Sequence, residues 1–143
     1  MICVTKIFDF ELAHAIHGYE GSCRDIHGHS YKLFVSVRRK EEEHDVYLKD
    51  DGFVIDFKIL KQAVIKAVVG KFDHRLILSE NYLNANPSLA TLPNLIRWET
   101  EPSAENILLY IKSQLEEHLP DNVELYALKL HETVSSYAEW IRN

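Results

Sequence analysis

Cys23-Arg24-Asp25-Ile26-His27-Gly28-His29 gathers a thiol and two imidazoles in one short stretch, and His14 adds a third imidazole ahead of it. Imidazole nitrogens and thiolates are side chains that hold zinc, and a shell of three nitrogens leaves a fourth position for water or substrate. Histidines two apart on a strand share a face, because strand side chains alternate with a period of two, while Gly28 leaves the opposite face uncrowded. The spacing aims both rings at one point. The competing reading makes His27-Gly28-His29 a surface turn and His14 a satisfied, partly buried histidine.

Cys23 admits three roles. As a fourth zinc ligand it would close a structural site; as a free thiol beside a cation it would have a lowered pKa and could move protons; otherwise it is an inert buried cysteine. The only other cysteine, Cys3, falls in the opening strand and is assigned to packing. With no disulfide framework, a reducing, cytoplasmic compartment is expected.

These residues need elements to place them. Residues Ile7 to Ile16 read as a strand whose even positions, Phe8, Phe10 and Leu12, form an apolar face ending in His14. Leu33, Val35 and Val37 continue the parity of His27 and His29, which predicts a long second strand that pairs with the first and brings His14 to the other two rings. Residues Arg39 to Asp51, with Glu41-Glu42-Glu43, read as a solvated connection. Phe53-Val54-Ile55 reads as a short strand, followed by Asp56 as N-cap of a helix through Leu60, Ala63, Val64, Ala67 and Val68 that ends near Gly70. Ser103 caps a second helix through Ile107, Leu108, Ile111 and Leu115, stopped by Pro120. Val123 to Glu132 and Ser136 to Ile141 close the chain as a hairpin turning at Val134 and Ser135. The order of long elements is β-β-α-α-β-β, an α+β arrangement. Residues Leu78 to Glu101 form a connection so long that it is either functional or partly structured.

Two further groups carry chemistry. Asp73 beside His74 can set the imidazole tautomer and raise its basicity, although adjacent pairs more often have a structural or surface role. Glu132, ending an apolar strand, needs a dedicated partner if buried: a ligand's donor pair or a backbone cap.

At 143 residues the chain suits one domain, 1–143, and no apolar run approaches the roughly 20 residues that span a bilayer. The N-terminus lacks the basic-then-apolar pattern of a signal peptide, so an unexported protein is expected. A formal charge of -6 weighs against nucleic acid as the main partner. Charges beyond about 8 Å are screened at physiological salt, so a metal and nearby Lys or Arg residues would still bind an anionic small molecule.

Six elements in order, Phe10-Glu11-Leu12-Ala13-His14, Cys23 to His29, Val54-Ile55-Asp56-Phe57, Asp73-His74, Pro102-Ser103-Ala104-Glu105-Asn106 and Glu132-Thr133, resemble the 6-pyruvoyltetrahydropterin synthase family across essentially the whole chain. The resemblance is greatest to its bacterial, carboxy-forming branch in the queuosine (7-deazapurine) pathway. It implies a tunnelling fold (T-fold): a four-stranded antiparallel sheet with two helices on one side, in homo-oligomers that are commonly hexamers of two trimers. It implies Zn2+ on His14, His27 and His29, Cys23 as catalytic thiol, Asp73 and His74 as a relay from a neighbouring subunit, and Glu132 as pterin anchor, with Ser103 and Glu105 nearby. The implied substrate is 7,8-dihydroneopterin triphosphate. The carboxy branch releases triphosphate and acetaldehyde, whereas the pyruvoyl branch retains the side chain; a non-catalytic, zinc-stabilised binding protein is the remaining alternative. The four-position interval from Cys23 to His27 resembles the carboxy-forming enzymes. Two departures stand out: Ala104 replaces a hydroxyl residue that the family often carries, and Leu78 to Trp98 is longer than usual.

Overall fold

A computed structural model describes residues 1–41 and 46–143. Two strands rich in Phe, Val and Ile, β1 (Val4–His14) and β2 (His27–Arg39), pair antiparallel over their full length. Core side chains alternate along both: Phe8, Phe10 and Leu12 on β1, and Tyr31, Leu33, Val35 and Val37 on β2 are buried on one face. β5 (Val123–Thr133) adds antiparallel to β2, and β6 (Ser136–Ile141) returns along β5 through a turn at Val134 and Ser135. These four strands are the antiparallel sheet expected from sequence.

The sheet is larger than that. Two short strands, β3 (Arg75–Ser79) and β4 (Leu95–Trp98), extend it beyond β1 with parallel pairing, giving a mixed six-stranded sheet of order β4-β3-β1-β2-β5-β6. The long connection is thus partly structured: it contains the end of β3, a short helix and all of β4. Short apolar runs do not distinguish strand from helix by periodicity, which is why Leu76-Ile77-Leu78 and Leu95-Ile96 gave no strand expectation.

Helix α1 (Phe57–Val64) starts where Asp56 Oδ1 accepts from the Lys58 amide at 2.8 Å. It does not stop at Gly70 but continues through a π-helical turn, Ile65–Val69, into α2 (Gly70–Phe72). A Cβ on Gly70 would lie 3.0 Å from the Ile65 carbonyl oxygen, so the wide turn leaves little room there for a larger residue. After α3 (Glu80–Ala85), Ser103 caps α4 (Ala104–Glu116) by accepting from the Asn106 amide at 3.2 Å, and α4 ends before Pro120. Leu60, Val64, Val68, Phe72, Ile107, Ile111 and Leu115 from the helices close over the buried sheet face in one core. A smaller core of Ala15, Leu76, Leu78 and Leu83 lies under α3.

Three local expectations are corrected. Phe53-Val54-Ile55 forms no strand; Val54 is nevertheless buried in the main core and Ile55 packs against it. Cys3 is exposed, just ahead of β1, and not a packing residue. β1 runs from Val4 and ends at His14, not Ile16. Residues 42–45 of the expected solvated connection lie outside the described residues; Arg39 ties its later part down through Phe53 O and Asp51.

Candidate metal and substrate site

The β1–β2 ladder builds the site. His14 is directly opposite His27, and Leu12 opposite His29, so the core-facing parity of both strands carries all three rings to one end of the buried face. Their centroids are 4.5 Å apart for His14 and His27, 5.0 Å for His27 and His29, and 5.4 Å for His14 and His29. One ligating nitrogen from each falls within 4.8 Å of the others.

Outer contacts fix which nitrogens face inward. His14 Nδ1 lies 2.6 Å from the Pro102 carbonyl oxygen and His27 Nδ1 lies 2.7 Å from that of Asp25. A carbonyl only accepts, so each Nδ1 carries the proton and each Nε2 presents a lone pair. Those two Nε2 atoms are 3.0 Å apart. His29 Nε2 is buried with no hydrogen-bond partner among the described residues. Two facing lone pairs beside an orphaned third nitrogen are costly unless a shared cation satisfies them, so the donor set fits a zinc ion. Burial, reinforced by the neighbouring His27 and His29, lowers the His14 pKa against the opposing pull of the Pro102 carbonyl and Glu132, favouring the neutral form that a metal needs.

Glu132 stands beside these rings. Leu128 and Leu130 of β5 face the core, and Glu132 continues their parity to the end of the strand, where pairing with β6 slips between His131 and Thr133. Its carboxylate lies 3.9 Å from both His14 Nε2 and His29 Nε2. Its dedicated partner is Tyr31, whose hydroxyl donates to Oε1 over a long 3.5 Å. Sequence reasoning missed Tyr31, although its position two after His29 on the same strand was the available signal. The Tyr31 pKa is strongly raised, first by burial and then by the Glu132 charge, so it remains a donor.

Cys23 sits in a single 3-10 turn, Ser22–Arg24, between β1 and β2. It lines a cleft of about 410 Å³ together with His14, Tyr19, Ser103, Glu105 and Glu132. Ser103 uses its hydroxyl oxygen to cap α4, and Glu105 is exposed in the first turn of that helix.

Asp73 and His74 are not part of this cleft. Asp73 Oδ1 accepts from the Glu11 amide at 2.9 Å and lies 3.1 Å from His74 Nδ1, and the Glu11 contact is the main cause of its lowered pKa. His74 adopts a left-handed φ of 61° and its amide donates to Glu11 O at 2.7 Å. It lines a second cleft of about 340 Å³ with Glu11, Ser30, Arg75 and Asn94. Glu11 and Ser30 belong to the parity opposite the histidine trio, so within one chain the pair is separated from Cys23 by the sheet.

Similarity to known proteins covers this whole arrangement. At 29% identity over 143 residues, the chain is similar to a 6-carboxy-5,6,7,8-tetrahydropterin synthase from Rickettsia typhi, covering 97% of this chain and 99% of that protein. A protein of the same description from Haemophilus influenzae is 29% identical over 147 residues, covering 98% and 99%. The fold matches the structure of Caenorhabditis elegans 6-pyruvoyl tetrahydropterin synthase with a TM-score of 0.70 and 20% identity, over 99% of this chain and 96% of that one. The family model described as 6-pyruvoyl tetrahydropterin synthase matches residues 3–143, and with all three histidines converging in the cleft, the chain belongs to that family.

Proposed function

We propose that this protein is a zinc-dependent 6-carboxy-5,6,7,8-tetrahydropterin synthase acting on 7,8-dihydroneopterin triphosphate, releasing triphosphate and acetaldehyde, in the cytoplasm and for queuosine biosynthesis. The observation that carries the proposal is the pair of facing Nε2 atoms on His14 and His27 beside an orphaned His29 Nε2, in a cleft shared with Cys23 and Glu132. The names of the curated relatives and the short Cys23-to-His27 interval favour the carboxy product.

His14, His27 and His29 would hold the ion, which supplies Lewis acidity toward the hydroxyl oxygens of the substrate side chain. Glu132 accepts the paired N–H groups of the aminopyrimidine edge of the pterin, a charge-assisted and directional contact. Tyr31 donates to one oxygen of that carboxylate and limits its rotation. Cys23 Sγ takes and returns a proton at the side-chain carbon, a role typically worth about 10²- to 10⁴-fold in rate. Ser103 and Glu105 form the rim against which the pterin lies. Asp73 holds His74 Nδ1, leaving Nε2 to exchange a proton with the substrate bound to a neighbouring copy. That role requires a homo-oligomer, for which a hexamer of two trimers is the expected form.

The test is incubation with 7,8-dihydroneopterin triphosphate followed by mass analysis of the pterin and assay of acetaldehyde. A 6-carboxy product with acetaldehyde supports the proposal. A product that keeps its side chain assigns the 6-pyruvoyl reaction instead, the reading favoured by the family description; no turnover by zinc-loaded protein would sink both.

A further inference from the structure

The connection between β3 and α4 supplies a support for the thiol that the proposed reaction does not use directly. The turn bearing Cys23 is tied down at few places: the Ile16 amide donates to Cys23 O at 2.8 Å, and the His17 amide donates to Glu101 Oε1 at 2.8 Å. A further tie comes from α3. The Tyr82 hydroxyl donates to the carbonyl oxygen of Arg24, the residue after Cys23, at 3.0 Å, and the Tyr82 ring meets the His17 ring edge-on at 6.5 Å. One side chain therefore touches both ends of the loop.

Tyr82 is itself held in place. Its amide donates to Ser79 Oγ at 3.1 Å, and Ser79 is fully buried. Its carbonyl accepts from the Asn86 amide and from Asn86 Nδ2, each at 3.0 Å. Next to it, Leu83 is buried against Ala15, Leu76 and Leu78, so α3 rests on the residue immediately after His14. A ring fixed from both sides of its backbone can impose a position on a mobile turn, because little ordering entropy is left to lose.

We infer that Tyr82 is a positioning residue: through Arg24 O it holds the Ser22–Arg24 turn so that Cys23 stays aimed into the cleft beside the histidines. The inference rests on the proposed catalytic role of Cys23 for its functional consequence, but not for the brace itself. The connection that is long for the family then has a purpose, as a clamp on the thiol-bearing loop.

The test is Tyr82→Phe, which keeps the ring and removes only the hydroxyl. Zinc stoichiometry and pterin affinity should be unchanged. Losing one hydrogen bond should lower kcat about three- to tenfold and speed alkylation of Cys23 by iodoacetamide by a similar factor. Peptide masses separate Cys23 from the exposed Cys3. Hydrogen exchange should quicken in peptides covering 17–25 and stay unchanged in β1 and α4. Unchanged alkylation and exchange would overturn the inference, and so would faster exchange throughout the chain, which would make Tyr82 a general structural residue. Cys23→Ala that retained turnover would defeat the catalytic role of the thiol while leaving the brace to be judged by exchange alone.

Discussion

His14 and His27 oppose each other across one rung of the β1–β2 ladder, with their Nε2 atoms 3.0 Å apart and both Nδ1 atoms turned outward to main-chain carbonyls. The strand pairing, not the loops, sets this geometry, so the metal shell is as rigid as the central sheet. Function should be separable residue by residue without loss of the fold.

Removal of one ligand gives the first expectation. His29→Ala should lose zinc, measured by elemental analysis after dialysis, while keeping the wild-type circular dichroism spectrum. In the parent protein, an ion present at a hundredfold excess over its Kd contributes about 2.7 kcal/mol, so chelation should lower Tm by roughly 5–10 °C. An identical Tm with and without chelator would argue against a site formed by these rings.

Cys23 lies in the cleft but outside the three-nitrogen cluster. Cys23→Ala should therefore retain stoichiometric zinc and lose at least about 10²-fold in kcat. Zinc loss in that variant would make the thiol a ligand instead.

Glu132 carries the substrate contact in the proposed function. Glu132→Gln keeps the shape and removes the charge, so pterin affinity measured by fluorescence titration should fall about 10- to 100-fold, the range for a hydrogen bond to a charged group. Zinc content should not change. Tyr31→Phe should give a smaller loss in the same assay, because its hydroxyl reaches Glu132 only over 3.5 Å.

Asp73 has a pKa below the ordinary carboxylate value because the Glu11 amide, and then His74, favour its charged form. A depressed folded-state pKa adds stability above the unfolded value of about 3.9, and that stability is lost as pH falls through the folded value. Asp73→Ala should therefore melt slightly lower than wild type at pH 6, with the difference shrinking as pH drops below about 4. The effect should be small, since the side chain is 40% exposed. A difference that grew on acidification would contradict the assigned contact.

The core tests the helices. Phe72 is buried against Phe10, Trp98 and Tyr110, so Phe72→Ala should cost about 3–5 kcal/mol and be visible as a reduced denaturation midpoint.

What could be read from sequence follows from what has a period. The alternation Phe8, Phe10, Leu12, His14 and its counterpart from His27 to Val37 specified both strands, their shared face and the three converging rings. The caps Asp56 and Ser103 specified both helix starts because side-chain acceptors at N-caps are local. β3 and β4 were hidden because short apolar runs have no distinctive period and their partners are remote. Phe53-Val54-Ile55 misled for the opposite reason: its β-forming residues are held in irregular backbone by burial of Val54 in the core. Tyr31 was overlooked as a site residue because it reads as one more apolar strand position until Glu132 is seen beside it. Asp73 and His74 could be singled out by type, but their separation from Cys23 by the sheet is a property of topology alone.

The widened turn at Ile65–Val69 carries one residue more than a regular helical turn would use. Deleting a single residue there would rewind the segment and swing everything after it by about 100° around the axis. Phe72 would leave its aromatic neighbours and Asp73 would lose the Glu11 amide, so a change far from either cleft would misplace the relay pair before any of its own atoms were altered.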